Sequence, residues 1–531
     1  MLVEEGELHQ WQVDAVGMIA QERGRGAVQS GESRSILGPM SRPTTLGALR
    51  ESGYRPKSVH AELRANLVER LRSGEPVLPG IVGYGESVEP QLVNALLSGH
   101  SFILLGLRGQ AKTRIARSLT AFLDEWIPAI DGSEMNEDPF APVTVPSIKR
   151  AAELGDELPV RWIHRDERYQ EKLATPDVTV ADLIGDVDPI KAATKRLTFA
   201  DPEVIHFGIL PRANRGVFCV NELPDLAARI QVGLLNILEE GDIQIRGFPI
   251  RMPMDMALVF TANPEDYTNR GSIITPLRDR IASQILTHYP KELESAQEIT
   301  EAEAWKDRGE GAVEVHVPTA LREAIDLVAF EARESEFVDQ ASGVSARLSI
   351  ALYENVISNA ERRALLTGAD RATARPADLY TATSAVTGKV ELVYDGEREG
   401  IGAVARMLVG KALAAAFARH FPDGYDEDTG DAGASAPVYE DLLAWFRGGE
   451  TLSLDDTASD EDHLARLSRV AGLADLVKRH AGPSDEAEAA SLMELVLEGL
   501  HQNSLLSRDD EGERVRVFGD MLAQMARSLS S

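Results

Sequence analysis

The segment SFILLGLRGQAKT, residues 101–113, constrains the fold more than any other part of the chain. Its first half is a short apolar run that ends in a glycine, which is typical of a buried strand. Beyond it, Ile115, Leu119, Phe122 and Trp126 recur at helical spacing and predict an amphipathic helix. A strand, a glycine-rich turn and a helix are therefore expected to follow one another directly.

The turn has the spacing of a phosphate-binding loop, G-x-x-x-x-G-K-[ST], except that Ala111 replaces the last glycine. A methyl group there is tolerable if its φ angle stays negative. Lys112 would reach the β- and γ-phosphates of a nucleotide, and Thr113 would offer its hydroxyl to Mg²⁺. The alternative is a glycine-rich turn that only packs. Backbone N–H groups that converge on phosphate predict ATP contacts along the whole loop: Gly106, Leu107, Arg108, Gly109, Gln110, Ala111, Lys112 and Thr113.

Two further apolar runs end in polar residues. GVFCVNE, residues 216–222, predicts a strand that ends at Asn221 and Glu222, and MALVFTAN, residues 256–263, predicts one that ends at Asn263. Helical patterns separate the strands, which predicts an α/β fold with a parallel sheet covered on both faces. Glu222 would then lie at the carboxyl edge of the sheet, where ligands bind.

The composition excludes some classes of function. The formal net charge is −30, from 55 basic and 85 acidic residues, which disfavours general binding to nucleic acids or anionic membranes. No run of 18 or more apolar residues occurs, so we predict no membrane span. Cys219 is the only cysteine and is interpreted as core, and a reducing cytoplasm is the expected location. The eleven histidines show no metal-ligand spacing.

Several motifs, in the same order along the chain, resemble the AAA+ ATPases, and within them the branch of the magnesium-chelatase ATPase subunit and the MoxR proteins. The resemblance covers about residues 60–395 and includes the loop with Ala111, the pair Asn221-Glu222, the stretch TANPEDYTNRGSIITPLRDRI and the stretch SGVSARLS. It implies a P-loop AAA+ domain that uses ATP and Mg²⁺. It also implies an adenine pocket lined by Ile81, Val82, Gly83 and Tyr84.

The resemblance and the helical periodicity after about residue 290 divide the chain into four parts. We predict a disordered extension at 1–43, an α/β ATPase core at 44–290 with a chelatase-type insertion at about 131–180, a helical lid at 291–400, and a further helical region at 401–531 with an acidic linker at about 422–437.

The resemblance implies a role for each polar residue of the site. Glu222 would orient the attacking water, Asn263 would contact the γ-phosphate or that water, and Arg347 would fold the lid onto the nucleotide. Arg280, with Arg278 as a rival, would reach ATP on the next subunit. Taken singly, each residue also has an ordinary structural explanation. Glu222 fits an acid at a helix start and Asn263 a turn residue. Arg347 fits an arginine at a helix start, and Arg280 fits a surface ion pair.

Asn221 departs from the family pattern, in which an aspartate is usual. The amide keeps an acceptor oxygen but lacks the negative charge, while Thr113 and the nucleotide phosphates would still hold the metal. We therefore predict Thr113 and Asn221 as the metal contacts, with weaker retention of Mg²⁺ and slow turnover.

The resemblance further implies a homo-oligomer, a hexameric ring, in which ATP hydrolysis remodels a partner protein, often one with a von Willebrand A domain. Two alternatives stay open: the ATPase subunit of a magnesium or cobalt chelatase, and a nucleotide-binding scaffold that hardly hydrolyses. The motifs define the site rather than the client, so the sequence leaves this choice open.

Overall fold

The computed structural model describes residues 42–199, 201–245, 248, 251–264, 272–309, 311–424, 436–512, 514–521 and 524. These residues form two compact units. The first contains the chain up to Gly106 and Ala111–Thr287, and the second contains Leu107–Gln110 and the chain from His288 onward. The predicted extension at 1–43 lies outside the described residues except for positions 42 and 43, as does most of the predicted linker at 422–437.

The first unit contains eleven strands among its described residues. In chain order they are β1 (Phe102–Leu105), β2 (Trp126–Ile130), β3 (Val160–His164), β4 (Tyr169–Leu173), β5 (Gly185–Val187), β6 (Ile205–Phe207), β7 (Gly216–Asn221), β8 (Asp242–Gln244), β9 (Arg251–Pro253), β10 (Met256–Ala262) and β11 (Ser283–Leu286). Five of them form a parallel sheet in the order β11-β1-β10-β7-β4. The others form the antiparallel pairs β2-β3, β5-β6 and β8-β9. Between β8 and β9, residues 246, 247, 249 and 250 lie outside the described residues.

The helices of the first unit precede, follow or connect these strands. They are Leu46–Glu51, Val59–Ser73, Val88–Leu97, Lys112–Ser118, Val145–Leu154, Val180–Leu183, Pro189–Lys195, Ile209–Arg212, Ala228–Gln231, Leu235–Glu239 and Thr275–Arg280. The helix after the phosphate loop is shorter than predicted. It ends at Ser118 and continues as a 3-10 turn, and Trp126, expected on its apolar face, instead begins β2.

Side chains of the central strands alternate between two apolar layers. Ile103, Phe218 and Phe260 point into one buried cluster, while Leu104 and Cys219 point into another. This is the period-two alternation of a strand, and both of its faces are buried because helices and loops cover the sheet on each side. The continuous apolar runs in the sequence have this origin.

The segment 131–180, predicted to be an insertion, contributes β4 to an edge of the central sheet. Its five residues are only partly covered, as an edge strand allows. Arg168, just before β4, forms a buried bidentate ion pair with Glu62, at 2.8 and 3.0 Å. Its Nε also donates to the carbonyl of Arg215, at 2.7 Å. These bonds anchor β4 to helix Val59–Ser73 and to the start of β7.

The second unit is mainly helical. Its helices are Leu293–Glu303, Thr319–Glu334, Arg347–Thr367, Pro376–Thr381, Thr383–Thr387, Tyr394–Glu399, Ile401–His420, Glu440–Arg447, Asp460–Leu467, Leu473–His480 and Glu486–Gln502. Its strands are β12 (Glu314–His316), β13 (Arg371–Thr373), β14 (Leu452–Asp455), β15 (Leu506–Glu511) and β16 (Val515–Asp520).

The region 401–531 was predicted to be helical, but it also contains an antiparallel sheet in the order β14-β16-β15. The predicted boundary at 400 is also wrong. Helix Ile401–His420 packs on helix Thr319–Glu334, and both contribute to one hydrophobic core. Among the described residues, Ile401–His420 alone has the length and apolar composition of a membrane span, and half of its most apolar stretch is buried.

Buried charges hold the C-terminal part of the second unit together. Glu494 and Glu498 are fully buried, and Arg516, which is 6% exposed, pairs with Glu494 at 3.3 Å and with Asp456. His463 Nε2 lies 3.0 Å from the other Glu494 oxygen. Burial opposes the charge on Glu494, but Arg516 and His463 outweigh it and lower the pKa of Glu494 to about 2.

Replacing Glu494 with Gln should destabilise the second unit by about 3 kcal/mol, since it leaves the charge of Arg516 buried and less compensated. Hydrogen exchange of the amides in helix Glu486–Gln502 measures this loss. Glu486→Gln changes an exposed acid on the same helix and should cost less than about 0.5 kcal/mol. Equal protection in the two variants would contradict the importance of the buried network.

Candidate nucleotide-binding site

Three strand ends meet at the carboxyl edge of the sheet in the first unit. β10 lies between β1 and β7, with Leu105 level with Ala262 and Phe260 level with Val220. The residues that follow these strands are therefore side by side. This strand order brings together the phosphate loop, Asn263 and the Asn221-Glu222 pair.

A hydrogen-bonded chain of side chains crosses this edge. Lys112 Nζ donates to Asn263 Oδ1 at 2.7 Å and to the carbonyl of Gly106. Asn263 Nδ2 in turn donates to Glu222 Oε2 at 2.7 Å. Lys112 is 7% and Asn263 8% exposed, so a cation and a carboxylate are linked through one amide in a largely buried position. Three of the predicted site residues are thus in direct contact.

Two residues of this edge have left-handed backbone conformations without being glycine. Ala111 has φ 55° and ψ 14°, and Glu222 has φ 56° and ψ 50°. The negative φ under which a methyl group is tolerable is therefore absent at Ala111, and its side chain carries a steric cost of about 1–2 kcal/mol. At Glu222 the backbone N–H donates to Thr261 Oγ1 at 3.1 Å, which fixes the turn. Such strain in non-glycine residues concentrates at functional sites.

Asn221 and Thr113 offer oxygen atoms to a metal. Asn221 Oδ1 accepts hydrogen bonds from Thr261 Oγ1 at 3.3 Å and from Cys219 Sγ at 3.5 Å. Thr113 lies in the first turn of helix Lys112–Ser118. Hydroxyl and amide oxygens are donors that suit Mg²⁺, which keeps part of its water shell and binds nucleotide phosphates. The donor chemistry of the two residues therefore fits Mg²⁺.

The tip of the phosphate loop belongs to the second unit. The hydroxyl of Tyr289 donates to the carbonyl of Arg108 at 2.9 Å, and Arg108 Nε donates to the carbonyl of Ser342 at 3.3 Å. The Arg108 guanidinium also pairs with Glu391. At Gly109, with φ 71°, a Cβ atom would lie 1.9 Å from a side-chain oxygen, so glycine is required there. Arg108, a predicted ATP contact, is thus engaged by protein groups in this structure.

The arginines predicted for the site lie on other elements than the Lys112–Asn263–Glu222 chain. Arg280 Nε donates to Glu239 Oε2 at 2.7 Å, whereas Arg278 is exposed and forms no ion pair with the described residues. Arg347 begins helix Arg347–Thr367 in the second unit, where its side chain is exposed.

The predicted adenine-pocket segment, 81–84, precedes helix Val88–Leu97 in the first unit. Tyr84 is buried in the apolar cluster on one face of the sheet, and Ile81 packs against that cluster. Gly83 is exposed and Val82 is partly exposed. The adenine contact of these four residues stays a prediction.

Sequence reasoning missed a polar cluster beside Asn221. Glu171, on β4, accepts hydrogen bonds from Arg117 Nε at 3.1 Å and from the hydroxyl of Tyr169 at 2.9 Å. The hydrogen bonds from Arg117 are the main cause of a lowered pKa of Glu171, and the hydroxyl of Tyr169 contributes. The available signal was the i, i+4 spacing of Thr113 and Arg117, which puts them on one helix face.

The fold is α/β with a central parallel sheet, and the residues at its carboxyl edge have the arrangement expected of a P-loop AAA+ domain. A phosphate loop follows β1, an acid follows β7 and an asparagine follows the intervening β10. The sequence is related to magnesium-chelatase 38 kDa subunits, which confirms the predicted resemblance to that branch.

Two relatives are the magnesium-chelatase 38 kDa subunits of Cereibacter sphaeroides and Rhodobacter capsulatus. Each is 27% identical, over 228 and 229 residues, which are 41% and 42% of this chain. The chain spans 60% of the length of each relative. A cryo-EM-based structure of the complex between subunits BchI and BchD of magnesium chelatase aligns with a TM-score of 0.30 at 21% identity, covering 60% of this chain and 97% of that one. No family model matches the chain.

Replacing Ala111 with Gly should stabilise the first unit by about 1 kcal/mol, because glycine adopts the left-handed conformation without the Cβ clash. Chemical denaturation measures the change. The matched control is Ala116→Gly in the interior of the same helix, which should destabilise by about 1 kcal/mol or more. If both variants are destabilised alike, Ala111 is not strained.

Proposed function

We propose that this chain binds Mg·ATP at the carboxyl edge of the first unit and hydrolyses it. The observation that supports this most is the Lys112–Asn263–Glu222 chain next to a glycine-rich turn. A buried ammonium at the start of a helix suits phosphate oxygens, and a carboxylate held one amide away suits an attacking water. A turn that served only to pack the strand against the helix would not require a lysine, an asparagine and a glutamate hydrogen-bonded in this order.

The residues divide the work of hydrolysis between them. Lys112 would exchange its bond to the Gly106 carbonyl for a phosphate oxygen of the bound nucleotide. Asn263 keeps its bond to Glu222 and so fixes the direction of the carboxylate. Glu222 then accepts a hydrogen bond from water and aligns it for attack. Mg²⁺, held by Thr113 and Asn221, would neutralise charge on the phosphates.

We further propose that the chain acts as a homo-oligomeric ring, a hexamer, that remodels a partner protein. The resemblance to the chelatase and MoxR branch supports this, and it suggests a von Willebrand A domain as the partner. A second candidate is the ATPase subunit of a magnesium or cobalt chelatase. It is favoured by the matched relatives, which are magnesium-chelatase subunits.

Glu222→Gln should lower kcat for ATP at least about 100-fold while leaving ATP binding within about twofold, because only the water loses its carboxylate. A phosphate-release assay and an equilibrium binding titration test this together. Glu240→Gln removes an exposed acid of the same unit and should change neither quantity. An unchanged turnover rate in Glu222→Gln would contradict the role of this carboxylate. Binding without measurable turnover in the unaltered chain would favour the scaffold.

The partner can be identified with the same variant. Affinity capture of the Glu222→Gln variant in the presence of ATP should retain the assembled ring together with its partner, since the variant binds ATP but hydrolyses it very slowly. A captured protein with a von Willebrand A domain supports remodelling. Magnesium insertion into a porphyrin, when this chain replaces the 38 kDa subunit of a reconstituted chelatase, supports the second candidate. Capture of a monomer alone contradicts both.

An arginine that acts on ATP in a neighbouring subunit must be able to extend its side chain away from its own subunit. We infer that Arg278 fits this better than Arg280, since Arg280 would first have to break its bond to Glu239. Arg278→Ala should lower kcat about 100-fold or more, and Arg280→Ala much less. Glu239→Gln, which frees Arg280, is the control and should keep activity. A deeper loss in Arg280→Ala would reverse the assignment.

A further inference from the structure

The edge strand β4 places a carboxylate beside the position where the family aspartate is missing. In the register of β4 and β7, Glu171 is level with Cys219, and Leu173 is level with Asn221. Because alternate residues share a face, Glu171, Cys219 and Asn221 point to the same side of the sheet. Cys219 and Tyr169 pack there in the apolar cluster that contains Ile115 and Ala116 of the phosphate-loop helix.

The side chain of Asn221 is oriented by its neighbours. Its Oδ1 accepts hydrogen bonds from Thr261 Oγ1 at 3.3 Å and from Cys219 Sγ at 3.5 Å, so its amide nitrogen is the part of the side chain that remains to donate. An amide can donate to Glu171, whereas a carboxylate at position 221 would repel it. Glu171 and the asparagine at 221 are therefore chemically matched.

Arg117 adds a positive charge on the same helix face as Thr113. The two residues are four positions apart, so their side chains begin about 5–6 Å from each other. Glu171 pairs with Arg117 through two nitrogens and also accepts from Tyr169. Without Glu171, the Arg117 guanidinium would lie one helical turn from the Thr113 hydroxyl with no carboxylate to balance its charge. It would then repel a divalent cation bound at that hydroxyl.

We propose that Glu171 is a positioning residue of the magnesium site: it places a carboxylate on the strand beside Asn221 and balances the positive charge of Arg117. This inference rests on the proposed function, because it concerns the binding of Mg·ATP. The sequence predicted weak Mg²⁺ retention because Asn221, on β7, carries no charge. With a carboxylate on β4 instead, weak retention is no longer expected.

Two substitutions that break the same ion pair separate this role from a structural one. Glu171→Gln leaves Arg117 unbalanced and should raise the Mg²⁺ concentration for half-maximal binding of a non-hydrolysable, fluorescent ATP analogue about tenfold. Arg117→Gln frees the carboxylate and should lower that concentration. A pair that only ties helix Lys112–Ser118 to β4 would shift both variants in the same direction, and that result would overturn the proposal. Binding in EDTA serves as the metal-free reference.

A double-mutant cycle tests the exchange of charge between the strands. Asn221→Asp alone should lower the Mg²⁺ requirement little, because two carboxylates then face each other. In the Glu171→Gln background the same change should restore the requirement of the unaltered chain. Additive effects would overturn the inference. If the unaltered chain shows no Mg²⁺-dependent binding of nucleotide, the proposed function fails; if it binds normally and Glu171→Gln changes nothing, only this inference fails.

Discussion

The hydrogen bonds from Lys112 to Asn263 and from Asn263 to Glu222 are the interactions on which the site depends. They exist because β10 lies between β1 and β7, so the ends of three strands far apart in sequence lie next to each other. The strand order is in turn stabilised by apolar side chains on both faces of the sheet. The chemistry at the edge therefore follows from how the core packs.

The site is built from strained and charged groups that a stable sheet supports. Ala111 and Glu222 adopt left-handed conformations at the two ends of the hydrogen-bonded chain. The bond from the Glu222 amide to Thr261 holds one of these turns. The Arg168–Glu62 pair anchors β4, and through it Glu171, to the rest of the unit. Buried bonds elsewhere in the unit thus hold the residues that we propose bind nucleotide and metal.

Much of the first unit could be predicted from the sequence. β1, β7 and β10 are continuous apolar runs because they are buried on both faces, and such runs have a strong signal. The polar residues at their ends were found for the same reason, although the contact of Asn263 with both Lys112 and Glu222 required the strand order. The position of Glu171 beside β7 could not be predicted from either strand alone, since it depends on which strands are neighbours.

Other features lacked a local signal. β4 is an edge strand with the polar sequence YQEKL, which resembles a loop. The strands of the β14-β16-β15 sheet include LSRDDE, whose charged residues hide the pattern. The positive φ of Ala111 contradicts the ordinary preference of alanine and arises from the turn as a whole. The Arg280–Glu239 pair joins residues 41 positions apart, which no periodicity reveals.

The most direct measurement is an experimental structure of the chain with Mg²⁺ and a non-hydrolysable ATP analogue. The account predicts that Lys112 Nζ contacts the terminal phosphate, with Asn263 still bonded to Glu222. A structure in which the phosphates lie elsewhere, with Lys112 still bonded to Asn263 and to the Gly106 carbonyl, would contradict it.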